Sequence, residues 1–129
     1  MTLSKKNIIH LCVLTGVSLL FVLALTRFKY AYGSELDWGG QHYAIPDYFR
    51  KLFYKTGDFF PSFAPNIGCG ENIYNLSYYG LYSPIILFSY LLPFVKMSTY
   101  IQIVSIIGII ASLWIFYIWM RQKFTDNTA

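Results

Sequence analysis

The sequence predicts an all-α polytopic membrane protein, with about three transmembrane helices and a long outer loop that contains a short interfacial helix. Three observations predict it. Apolar runs near membrane length lie at about 8–28, 79–95 and 101–120. Composition agrees: 56% of the 129 residues are hydrophobic and 20% aromatic, while only 12% are charged, well under the ~25% of soluble domains. A soluble domain this small leaves too much of its surface exposed to hide that apolar fraction. Finally, the lysines and arginines sit mostly beside the apolar runs. With a net charge of +4 and no clustered basic stripe, this suits lipid headgroups and argues against a nucleic-acid partner.

Lys5 and Lys6 precede the first run, which extends from Ile8 to about Phe28 and is broken only by His10, Thr15, Gly16, Ser18 and Thr26. Crossing ~30 Å of hydrocarbon takes about 20 apolar residues at 1.5 Å rise. A signal peptide shares the basic start, but its apolar core is shorter, about 7–15 residues, and no clean small-x-small cleavage site follows here. A retained span is the better reading. The paired lysines place the N-terminus in the cytoplasm and the loop 33–78 outside.

Within that loop, Pro46 to Thr56 reads as a helix, with proline in its first turn and Gly57 just past its end. Ile45, Phe49, Leu52 and Phe53 keep helical spacing, while Asp47, Arg50, Lys51 and Lys55 take the other side. Such a segment is expected to lie in the membrane interface, the alternative being a surface helix packed on protein. Two prolines between Asp58 and Pro65 prevent regular helix, and Gly68-Cys69-Gly70 allows a tight turn. Tyr74, Tyr78, Tyr79 and Tyr82 mark the depth at which the chain re-enters the bilayer. Pro84 gives the second span a bent entry. Lys96 marks its cytoplasmic end, and Ser98-Thr99 starts the third. With three spans Arg121 and Lys123 fall outside, a mild conflict with the positive-inside rule. Cys12 lies in a span and Cys69 in a polar loop, so no disulfide is expected, and neither has metal-ligand spacing.

Asp37 is the leading candidate for chemistry. It lies just beyond the first span, beside Trp38 and two glycines that let other groups come close. A carboxylate there can act as a general base or bind a divalent cation. Glu35 lies two residues away, and two close acids push one pKa up. A lone loop acid, however, is usually a solvated side chain. Gln41 and His42 can add hydrogen bonds or a second ligand, although one histidine does not make a zinc site. Arg50, Lys51 and Lys55 can attract a lipid phosphate, although general headgroup contact is the commoner role of such residues. His10 reads as a polar helix-packing residue.

Two stretches, ELDWGGQHYAIPDYFRKLFYKTGDFFPSF and NIGCGENIYNLSYYGLYSPIILFSYLLP, carry a family resemblance. With the first span they resemble the N-terminal part of YfhO-family bacterial membrane proteins, which are of the GT-C glycosyltransferase type. The family pattern has an Asp and a Gln after the first span, then a Gly, a Gly-x-Gly-x-Asn and a Tyr-x-x-x-Ser-Pro. These fall on Asp37, Gln41, Gly57, Gly68, Gly70, Asn72, Tyr79 or Tyr82, Ser83 and Pro84. The resemblance implies an enzyme of the cytoplasmic membrane's outer face. Such an enzyme takes a sugar from a polyprenyl-phosphate carrier and passes it to an exported acceptor such as lipoteichoic acid. It gives Asp37 the role of acting on the acceptor hydroxyl, as base or through a metal, and adds Asn72 to the binding residues. Family members have many more spans and an outer domain. The chain is therefore expected to be the front end of a longer protein, inactive alone. Two rival classes are a small non-catalytic membrane subunit of a larger protein, and a transporter or flippase fragment. The second would need intramembrane charges that the spans lack.

Overall fold

The computed structural model describes residues 5–26 and 35–124. In chain order the elements are α1 (Lys5–Leu25), a π-helix (Glu35–His42), α2 (Ala44–Thr56), β1 (Phe63–Ala64), β2 (Glu71–Asn72), a 3-10 helix (Ile73–Tyr79), α3 (Pro84–Phe88), a 3-10 turn (Ser89–Leu91) and α4 (Met97–Lys123). They divide into two units, Met1–Tyr32 with Gln102–Ala129, and Gly33–Ile101.

In the first unit, α1 and α4 are long and apolar enough to cross a membrane, with mean hydropathies of 2.6 and 2.3 over their most apolar windows. Both are apolar on all sides, and large side chains such as Leu20, Phe21, Ile107 and Ile115 stand exposed. A helix of that kind needs lipid or protein around it. Polar side chains tie the two helices together. The Tyr117 hydroxyl lies 2.7 Å from His10 Nδ1 and donates to Asn7 Oδ1, and Trp114 Nε1 donates to Thr15 Oγ1 at 3.0 Å. Residues 7, 10 and 15 meet 117, 117 and 114 respectively, so α1 and α4 run antiparallel. An antiparallel pair puts Lys5 and Lys6 at the same end as Arg121 and Lys123.

Residues 79–95, expected to form one span, are instead broken into short pieces. Gly80 turns the chain at φ 74° after the 3-10 helix, and Ser83 caps α3 by accepting the Ile86 N–H, with Pro84 in the first turn. After α3 and the 3-10 turn, Leu92 leaves helical geometry, with Pro93 next. Proline and glycine at these joints exclude a continuous helix of membrane length.

The second unit is built around Ile45 and Phe49 of α2, Ala64 of β1, Ile73 and Leu76 of the 3-10 helix, and Leu81. Each large apolar side chain buried in this way contributes about 1.5–3 kcal/mol. Helix α2 spans the expected residues and stops at Gly57, whose φ of 76° suits glycine. Its apolar face is not free for lipid, because Ile45 and Phe49 are buried against β1 and the 3-10 helix. The expected interfacial helix is thus a protein-packed helix. Arg50, the residue after Phe49, is also buried, at 4% exposed. Its guanidinium donates to the backbone carbonyls of Ser89, Leu92 and Val95, at 3.3, 3.4 and 2.8 Å, and to Asp47 Oδ1 at 3.2 Å. The broken segment after α3 is therefore bolted to α2 through its own carbonyls.

The strands pair antiparallel, Phe63 with Asn72 and Ala64 with Glu71. Their connecting turn holds Gly70 at φ 104°, where L-residues are strained, with the Phe63 ring packed over the glycine. Gly70→Ala is expected to destabilise this unit by about 1–3 kcal/mol. In the Phe63→Ala background the collision vanishes and only the backbone strain remains, so the penalty shrinks. Denaturant unfolding of the parent and the three variants measures this, and equal penalties in both backgrounds would exclude the ring contact.

Candidate functional site

Asp37 sits in the π-helix, where each turn takes more residues than an α-helix and Tyr43 N–H reaches back five positions to the Trp38 carbonyl at 3.1 Å. The wide turn brings positions four and five apart to one face, which puts Gln41 and His42 on the side of Asp37. Asp37, Gln41 and His42 are all exposed. Glu35 opens the helix, and its side chain lies outside the described residues.

The 3-10 helix supplies the opposite wall. Tyr78 Oη donates to Tyr79 Oη at 2.8 Å, and Tyr79 Oη donates to Gln41 Oε1 at 2.7 Å. The His42 ring meets the Tyr79 ring edge-on at 5.6 Å and lies 5.4 Å from the Trp38 ring. Such edge contacts between aromatic rings are favourable. A carboxylate, an amide, an imidazole and two phenols thus share one exposed patch made from segments about 40 residues apart. Asn72 acts here through the fold. Its side chain accepts the Tyr74 N–H at 2.9 Å and caps the helix that presents Tyr78 and Tyr79.

The Tyr79 phenol is held above its ordinary pKa of 10, first by its hydrogen bond with Tyr78, then by desolvation, and also by the negative charges of Tyr78 and Asp37. A raised pKa means that the fold favours the neutral phenol. The stabilisation is complete below pH ~10 and is lost as pH rises through the higher folded value. Tyr82 and Tyr90 are raised by burial too, so tyrosinate absorbance should show several components above 10, of which one disappears in Tyr79→Phe. A Tyr79 midpoint at or below 10 would contradict the linkage.

Among the described residues, no three His, Cys, Asp or Glu side chains gather to hold a metal ion. Beside Asp37, the Gln41 amide oxygen already accepts from Tyr79. Arg50 and Lys51 belong to a different place. Arg50 is engaged with backbone carbonyls, and Lys51 pairs with Asp47 at 2.6 Å. Both line a cavity of about 420 Å³ between α2 and residues 93–98.

Tyr79 entered the sequence reading only as an interface tyrosine and a possible family position, and no local spacing signals its partnership with Gln41. Trp38 was read only as a neighbour of Asp37, and Lys96 only as a boundary. Comparison with family models, curated proteins and solved structures finds no match to this chain.

Proposed function

We propose that this chain is the membrane-anchored, acceptor-side part of a GT-C-like glycosyltransferase of the bacterial cytoplasmic membrane. It moves a sugar from a polyprenyl-phosphate carrier to an exported cell-envelope acceptor such as lipoteichoic acid. The carrying observation is the patch in which Asp37 stands beside Gln41, His42 and Tyr79, since aromatic rings with polar tips beside a carboxylate suit a sugar hydroxyl. In the reaction, Asp37 takes the proton as the acceptor oxygen bonds to the sugar's anomeric carbon. The bond from that carbon to the carrier phosphate breaks, and the phosphate leaves with the electron pair. Gln41 and Tyr79 hold the π-helix and the 3-10 helix together around the reacting hydroxyl.

The topology in this reading has two crossings, α1 and α4. The antiparallel pairing supports it, because Lys5, Lys6, Arg121 and Lys123 then share the cytoplasmic side, as the positive-inside rule favours. The conflict raised by three crossings disappears, and the segment between the two helices faces outward. The test is sugar transfer in membranes carrying the full-length protein with Asp37→Asn. Loss of transfer with normal insertion is expected, and retained transfer would sink the assignment.

A further inference from the structure

The cavity beside α2 holds three cationic side chains, Arg50, Lys51 and Lys96, against one carboxylate, Asp47. Asp47 is shared by Arg50 and Lys51. Lys51 is largely exposed, with 76% of its side chain open, and among the described residues Lys96 is in no ion pair. The cavity therefore keeps an excess of positive charge. Its volume lies within the ~300–1,000 Å³ of small-ligand sites. Met97 and Ser98, the first residues of α4, also line it, and a helix start adds to the attraction for an anion.

An apolar ridge leads to the same place. Ile85, Phe88, Leu91 and Phe94 recur every third residue along the broken segment and are 54%, 58%, 70% and 80% exposed. Between them Ile86 and Ser89 are buried, so this segment turns one side inward and the other outward. Phe94 belongs to both features, ending the ridge and lining the cavity. Apolar side chains running into a cationic hollow match a molecule with a hydrocarbon body and an anionic head.

We propose that this cavity binds the phosphate of an anionic bilayer phospholipid, with the Ile85–Phe94 ridge resting among its acyl chains. Lys51 and Lys96 meet the phosphate, while Arg50 stays engaged with the backbone and contributes charge only. The proposal needs membrane insertion but not the sugar-transfer reading. It also gives the interfacial role to residues 85–94 in place of α2.

The test uses the full chain in phosphatidylcholine nanodiscs with a minority of phosphatidylglycerol, and counts retained lipid by native mass spectrometry. Phosphatidylglycerol should be retained over phosphatidylcholine. Lys51→Gln with Lys96→Gln should lower that preference roughly tenfold or more, since each lysine near an anionic surface contributes on this scale. Phe94→Ser should lower lipid retention as well. Inorganic phosphate should compete only weakly, because it lacks the acyl chains. Equal retention of the two lipids would overturn the proposal. So would an unchanged preference in the lysine double variant, unchanged retention in Phe94→Ser, or phosphate competing as well as lipid. Asp37→Asn should retain lipid as the parent does, so failure here and failure of the transfer assignment are separate outcomes.

Discussion

Asp37→Asn is expected to lower sugar transfer by about 10²–10⁴-fold, the contribution of a well-placed general base. The carboxamide has nearly the same shape, so the substitution removes charge and basicity while leaving volume alone. Tyr79 donates to Gln41, and His42 packs on Tyr79 and Trp38, and the carboxamide leaves these contacts in place. The loss should therefore fall on kcat, with KM for the acceptor little changed, as for an interaction made in the transition state. Tyr79→Phe serves as the contrast. It releases Gln41 from the 3-10 helix without touching the carboxylate, and so acts on positioning. If Asp37→Asn raised KM alone, the carboxylate would be a binding group and the base would lie elsewhere.

The parts of this fold that depend on neighbours in sequence could be read directly. Helix α2 begins within two residues of the expected Pro46 and stops at Gly57, because proline and glycine act on their own backbone. The two long apolar helices follow from composition over about 20 residues. What covers an amphipathic face is a different matter. The spacing of Ile45 and Phe49 defines an apolar side whether lipid or protein meets it, and β1 and the 3-10 helix lie in segments with no local signal toward α2. Hydropathy likewise passed residues 79–95 as a span. Gly80, Ser83, Pro84 and Pro93 are each an ordinary residue at a helix end, and only together do they break the run into pieces.

The site divides in the same way. Asp37, Gln41 and His42 are close in sequence, and their grouping was legible. Their partner Tyr79 was not, because the hydrogen bond to Gln41 spans 38 residues. Asn72 and Arg50 differ in another way. Both were read as groups for a ligand, and both hold backbone instead, Asn72 an N–H and Arg50 a set of carbonyls. A polar side chain in a loop gives no sign of which it will do until the chain returns to it.

Arg50→Ala is expected to cost the second unit about 1.5–3 kcal/mol, the scale for losing buried hydrogen bonds from a charged donor. The reason lies in what remains. The Ser89 carbonyl also accepts the Leu92 N–H, and the Leu92 carbonyl accepts the Val95 N–H, so each keeps a partner. The Val95 carbonyl loses its 2.8 Å bond to the guanidinium. Asp47 keeps Lys51 at 2.6 Å, so its charge is not orphaned. The penalty therefore arises from the emptied volume and the released backbone more than from an unpaired acid. Arg50→Lys should recover only part of it, because one ammonium cannot present the rigid fork that reaches three carbonyls and a carboxylate together. Asp47→Asn should cost less than Arg50→Ala, since Arg50 keeps its carbonyl partners. Denaturant unfolding in detergent gives the order of the three variants. Hydrogen exchange then locates the effect, which should be fastest opening at residues 89–96 in Arg50→Ala. A loss under about 1 kcal/mol, or exchange unchanged in that segment, would mean that Arg50 does not hold the broken segment to α2.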